Sequence, residues 1–127
     1  LAHKLSENSN VTVECPAGIY NYTHEGIYGK EVEQLINQRH AKYCFASCNG
    51  LDIQNGITFS TDLDLTMTRA CRNNCDKMVL LADHTKFNTT YYFKILSLTD
   101  IDILITDCKP DELWITYCKE NSITLLY

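Results

Sequence analysis

The sharpest chemical signal in this sequence sits just past an apolar run. In Met78 to Phe87, MVLLADHTKF, the run ends at Ala82, and Asp83 and Lys86 follow at once. A lysine four residues beyond a strand end can reach back over the sheet edge. There its ammonium can neutralise a phosphate as a point charge. Asp83 beside it can accept from sugar hydroxyls or hold the lysine in place. The same spacing fits a plainer reading, in which Asp83 caps a short helical turn through the amide of Thr85 or Lys86. Spacing alone leaves both open.

Two further stretches repeat the arrangement. ILITDCKP ends an apolar run at Asp107, with Lys109 beyond it. The plain reading of Asp107 is a cap for the helix begun by Pro110. In NGLDIQNG, Asn49, Gly50 and Asp52 follow a third run, and a solvated loop carboxylate is the plain reading of Asp52. Other chemistries find no pattern here. His3, His24, His40 and His84 share no metal-ligand spacing, and Cys71 and Cys75 have no second cluster to complete a metal site. No nucleophile elbow is visible, GIYG and NGLDIQNG are not phosphate loops, and nothing calls for a cofactor.

Positioning such residues requires strands that end at one edge. Lys42 to Ser47, Lys77 to Ala82, Ile95 to Leu98, Ile103 to Thr106 and Ile123 to Leu126 read as strands. Val11 to Glu14 reads as a short strand and Ile19 to Thr23 as an extended piece. Lys30 to Gln38 reads as a helix with Val32, Leu35 and Ile36 on one face. Leu63 to Asn73 reads as a helix capped at Thr61-Asp62, with Leu63, Met67 and Ala70 as its apolar face. A helix from Pro110 would bury Leu113, Trp114, Tyr117 and Cys118. Leu1 to Ser6 reads as a helix end with Leu1 and Leu5 on one face, Asn8-Ser9-Asn10 as a turn, and Cys48 to Ser60 as a long loop. Strands alternating with helices predict an α/β fold of three layers, a mainly parallel sheet with helices on both faces. Ligands in such sheets bind beyond the carboxyl ends of the strands, which directs attention to the loops after Val13, Ser47, Ala82 and Thr106.

Composition narrows the function classes. The 127 residues suit one domain, and no apolar run approaches the roughly 18 residues of a membrane span. The first residues, LAHKLSENSN, lack the apolar core of a signal peptide. The net charge of −5 and the scattered Lys and Arg argue against this chain gripping nucleic acid by itself. Seven Cys permit two readings, six paired in a secreted domain or all reduced in a cytoplasmic one. The apolar settings of Cys44, Cys48 and Cys118 favour reduced thiols. The sequons at Asn10, Asn21 and Asn88 point faintly the other way.

MVLLADHTKF followed by LSLTDIDILITD resembles the C-terminal sensor domain of DeoR-type sugar repressors. AGIYNYTHEGIYGKEVEQL and YCFASCNGLDIQNGIT resemble the same family's upstream segments. The resemblance implies a fold similar to ribose-5-phosphate isomerase and glucosamine-6-phosphate deaminase. It implies a phosphorylated sugar effector whose binding releases the repressor from operator DNA. It assigns Asp83 and Lys86 to inducer response, with Asn49, Gly50, Asp52, Thr106 and Asp107 around the same pocket. On this reading residues 1–127 are one partial effector-binding domain. The DNA-binding domain and the first phosphate-loop unit lie outside the chain, which opens mid-pattern without an initiator Met. Operator binding implies a homo-oligomer, a dimer or tetramer. A sugar-phosphate isomerase or deaminase of the same fold is the alternative, although no acidic Gly-Ala-Asp-Glu-type motif is present, and a secreted disulfide-rich binding module is a third.

Overall fold

The computed structural model describes residues 2–8 and 10–127. Helix α1 (Ala2–Ser6) matches the helix expected at the start. The expected contribution of Leu1 to that helix, and of Ser9 to the turn after it, lies outside the described residues. A small hairpin follows, β1 (Ile19–Asn21) paired antiparallel with β2 (Gly26–Tyr28), then helix α2 (Lys30–Asn37). Next come β3 (Ala41–Ser47), β4 (Gly50–Asp52), β5 (Gly56–Phe59), helix α3 (Leu65–Asn73) and β6 (Cys75–Leu81). The chain ends with β7 (Phe93–Leu96), β8 (Ile103–Ile105), helix α4 (Glu112–Glu120) and β9 (Thr124–Leu126).

The α/β class expected from the alternation is the one observed. The main sheet is parallel, with strand order β3-β6-β8-β9. Register places Ala46, Leu80, Leu104 and Leu125 side by side across its four strands. Because side chains alternate faces along a strand, these residues share one face, and all four belong to or pack on the core. Trp114 and Cys118 of α4 join that core, as do Leu51, Ile57, Phe59, Ile95 and Leu96 of a second, antiparallel sheet ordered β4-β5-β7. The reverse face carries Phe45, Leu81 and Leu126, all exposed. No helix among the described residues is long and apolar enough to cross a membrane.

Four expectations are corrected. Cys48 to Ser60 is not a loop: it holds a hairpin, β4 paired with β5, with one Asn-Gly signal at its start and the other at its turn, and its strands are almost wholly buried. Both strands are shorter than a sequence window resolves, and tertiary burial supplies what the turn signals conceal. Val11 to Glu14 forms no strand, since β-branched residues alone bring no pairing partner. Leu113 is exposed on α4, although Trp114 and Cys118 of the same expected face are buried. Helix α3 starts later than Thr61-Asp62 suggests; Asp64 holds the N-cap position without a side-chain capping bond, and Asp62 accepts the Leu65 N–H through its carbonyl.

Asp102 ties the parallel strands together near their amino ends. Its carboxylate accepts the Met78 N–H at 2.9 Å and the Lys77 ammonium at 3.1 Å. Its own N–H donates to the Met78 carbonyl and its carbonyl accepts from Thr124, each at 2.9 Å. Desolvation, the largest influence, pushes the Asp102 carboxyl up, but the Met78 N–H, Lys77 and Arg72 together hold it below its ordinary value. A group depressed in the folded state stabilises above its unfolded pKa of about 3.9 and loses that contribution as pH falls through the folded value. Asp102→Ala is therefore expected to cost about 1–2 kcal/mol near neutral pH, the lower part of the range for a charged acceptor because Lys77 is half exposed. Urea unfolding of both proteins should show the difference shrinking as pH drops below about 4. A difference that stays constant with pH would mean that the carboxylate charge plays no part.

Candidate functional site

The carboxyl ends of β6 and β8 lie together, since the Ala82 N–H donates to the Ile105 carbonyl at 3.0 Å. The chain then turns in opposite ways at the two ends. After β6, residues His84–Lys86 form one 3-10 turn capped by Asp83, which accepts the Thr85 N–H at 2.9 Å. The Thr85 hydroxyl also donates to this carboxylate. These bonds hold the Asp83 carboxyl below its ordinary value, the Thr85 hydroxyl foremost. The capping reading of Asp83 is thus realised, and its second oxygen still faces the Lys86 ammonium at 3.9 Å.

The turn straddles two strand ends. On one side His84 meets Asp107. The His84 N–H donates to Asp107 Oδ1 at 2.7 Å, and the ring Nδ1 lies 2.7 Å from Oδ2. The Thr106 hydroxyl donates to Oδ1 at 3.2 Å from a nearly buried position. The hydrogen bond from His84 is the main reason that the Asp107 carboxyl is pulled down to about 2 and the imidazole pushed up. On the other side, Lys86 and Asp83 lie near enough to Cys48 to act on its thiol, which burial pushes up to about 12. That brings the start of the β4–β5 hairpin against the turn.

Asn49 and Gly50 are held at this junction. Asn49 Oδ1 accepts the Ser60 N–H at 3.0 Å and the Ser60 hydroxyl at 3.2 Å, which closes the hairpin. Gly50 packs where a Cβ would stand 2.3 Å from the Thr89 carbonyl oxygen, so only glycine fits. Leu51 bridges to Phe87, which anchors the hairpin to the segment after the turn. Asp52 sits at the hairpin's far end. Its Oδ1 accepts the N–H groups of Gln54 and Asn55 at 3.0 and 2.7 Å, an Asx-turn that shapes the loop before Gly56.

Asp107 is not a helix cap. Asp111 has that position, accepting the Trp114 N–H at 3.1 Å, because Pro110 precedes the helix and delays its first turn. Below the strand ends lies a cavity of about 200 Å³, lined in part by His84, Asn88, Thr106, Cys108, Lys109 and Trp114. Its floor is built by Trp114, whose indole N–H donates to Asn88 Oδ1 at 3.0 Å and whose ring meets Phe87 edge-on at 4.9 Å. A larger cleft of about 390 Å³ lies between α2 and β3. Its walls include Val32, Leu35, Ile36, Tyr43 and Phe45, a mainly apolar groove beside a sheet-edge strand, with Glu14, Arg39 and Asn74 also in its lining.

The structure therefore gathers Asp83, Lys86, Thr106 and Asp107 at one edge, with Asn49 and Gly50 alongside, and commits Asp52 to a turn. Sequence reasoning missed His84 as the partner of Asp107, and Cys108 and Asn88 as cavity residues. Only the neighbours of His84 hinted at its place. All seven cysteines are free thiols.

The family model described as the DeoR C terminal sensor domain matches residues 1–108. The chain is 29% identical over 120 residues to the L-fucose operon activator of Haemophilus influenzae, covering 94% of this chain and 48% of that protein. It is 34% identical over 111 residues to the HTH-type transcriptional regulator GolR of Listeria innocua, covering 85% and 42%. It is 26% identical over 97 residues to the deoxyribose operon repressor of Escherichia coli, covering 76% and 38%. The chain spans about half or less of the length of these curated relatives.

Proposed function

Since the chain belongs to the family of DeoR C-terminal sensor domains, we propose that it senses a phosphorylated sugar at the carboxyl edge of its parallel sheet. The observation that carries this reading is the convergence, on one 3-10 turn and two strand ends, of the Lys86 ammonium with several oxygen and amide groups. Lys86 would meet the phosphate as a point charge. Asp83, Asp107, Thr106 and Asn49 would accept from or donate to sugar hydroxyls, with Gly50 keeping the backbone close. The relatives' names tie them to fucose and deoxyribose operons, which favours a sugar-derived effector here.

In a longer regulator carrying this domain, binding would be read out as release from operator DNA. The chain's net charge of −5 places the DNA contacts elsewhere in such a protein, with a dimer or tetramer matching operator symmetry. The relatives compared are transcriptional regulators, and no observation favours the isomerase or deaminase alternative.

A thermal-shift screen of the chain, and of a longer protein carrying it, against sugar phosphates and the matching free sugars tests the reading. One sugar phosphate should raise Tm while its free sugar does not. Occupancy at 100 times Kd adds about 2.7 kcal/mol of stability. A panel without any shift in either protein would remove the reading.

A further inference from the structure

The structure assigns a divalent metal site of the zinc or cobalt class to His84, Asp107 and Cys108. One ligand atom from each of these residues lies within 4.8 Å of the other two, and all three side chains are exposed. The residues come from two elements, the turn after β6 and the segment after β8, so the fold brings them together rather than local sequence alone. Nitrogen, carboxylate oxygen and thiolate sulfur form the donor set of a borderline ion. Magnesium and calcium take oxygen ligands and would not select it.

The approach geometry fits with one small movement. Two donors each about 2.0–2.1 Å from a tetrahedral ion stand roughly 3.3 Å apart. His84 Nδ1 and Asp107 Oδ2 are 2.7 Å apart, so the exposed imidazole must swing out by roughly 0.6 Å. Asp107 is prepared for this. Its Oδ1 is held by the His84 N–H at 2.7 Å and by the Thr106 hydroxyl at 3.2 Å, which leaves Oδ2 for the ion. On coordination the ion takes the place of the proton between imidazole and carboxylate, the ring keeping its one proton on Nε2 and any second proton passing to solvent, and the Cys108 thiol also gives its proton to solvent. His84 and Cys108 also line the 200 Å³ cavity, so the fourth coordination position has space in front of it for water or an incoming oxygen ligand.

Metal binding here shares Asp107 with the proposed effector contacts, and it is tested without any sugar. The reduced chain is titrated with cobalt(II), followed by competition with zinc(II). One equivalent of cobalt should produce the visible bands of a tetrahedral ion together with a thiolate-to-cobalt charge-transfer band, and zinc should bleach both. Cys108→Ser should remove the charge-transfer band. His84→Ala should weaken cobalt binding by at least about the ten- to hundredfold that loss of an outer-sphere partner costs. Cys15→Ser, which removes the other exposed thiol, should change neither. Far-ultraviolet circular dichroism should be unchanged in all three variants, since the altered side chains are exposed. The assignment is overturned if no thiolate band forms, or if the band survives both Cys108→Ser and His84→Ala.

Discussion

Trp114→Ala should cost about 3–5 kcal/mol of folding stability, the cost of truncating a buried aromatic residue to a cavity. The ring is 1% exposed and touches Phe87 and Tyr117 at centroid separations of 4.9 and 6.4 Å. It belongs to the core that joins the parallel sheet to the β4-β5-β7 sheet. In a domain of 127 residues the loss should lower Tm by roughly 10–20 °C. Urea unfolding should show a lower midpoint at a similar slope. Trp114→Phe separates packing from hydrogen bonding. It keeps most of the ring and loses only the indole N–H that Asn88 accepts, and Asn88 is exposed enough for water to replace it. That variant should lose about 1–2 kcal/mol. If Trp114→Ala lies within about 1 kcal/mol of the unaltered chain, the indole does not hold the two sheets together as its burial indicates. The same substitution empties the floor of the cavity beneath Thr106 and His84, so weaker effector binding should accompany the lower stability.

Lys86→Ala should instead leave stability nearly untouched and weaken the response to a sugar phosphate. Its ion pair with Asp83 is long, 3.9 Å, and the two side chains are 33% and 48% exposed. Such a pair contributes at most about 1 kcal/mol. Facing a phosphate the same ammonium makes a charge-assisted bond, and its loss should cost about 1.5–3 kcal/mol, or roughly 10- to 150-fold in affinity. In the thermal-shift experiment the variant should melt with the parent when free and, at the same ligand concentration, gain about half or less of the ligand-induced rise. Lys86→Arg should recover part of the affinity, because it restores charge but replaces a compact ammonium by a planar fork. A full ligand-induced rise in Lys86→Ala would take the phosphate contact away from this residue.

The opposite profiles of these two residues match how far each can be read from local pattern. Lys86 announces itself by position: a cation four residues past an apolar run is placed by local chain geometry, and the strand and turn around it are local as well. The amphipathic helix α2, the parallel strands β3, β6 and β8, and the α/β class follow from periodicity for the same reason, since side-chain alternation needs no distant partner. Within the candidate site, the strand ends bearing Asp83, Thr106 and Asp107 are equally legible.

Whether a polar residue serves the site or the scaffold is settled only in three dimensions. His84 and Asp107 are 23 positions apart, and they meet because β6 and β8 are adjacent and end in register. No local pattern encodes that register; it is set by which faces the strands bury together. Asp107 has the spacing of a cap for α4, but Pro110 places the first helical turn so that Asp111 caps it instead. Asp52 is drawn into a turn by the N–H groups of Gln54 and Asn55, because β4 and β5 pair and bury where their short sequences suggest a loop. The sequence by itself determined which chemical groups follow the ends of β6 and β8, since strand period and chain direction are local properties. The tertiary structure decided which of them face one another, since strand order, register and shared burial are properties of the whole chain.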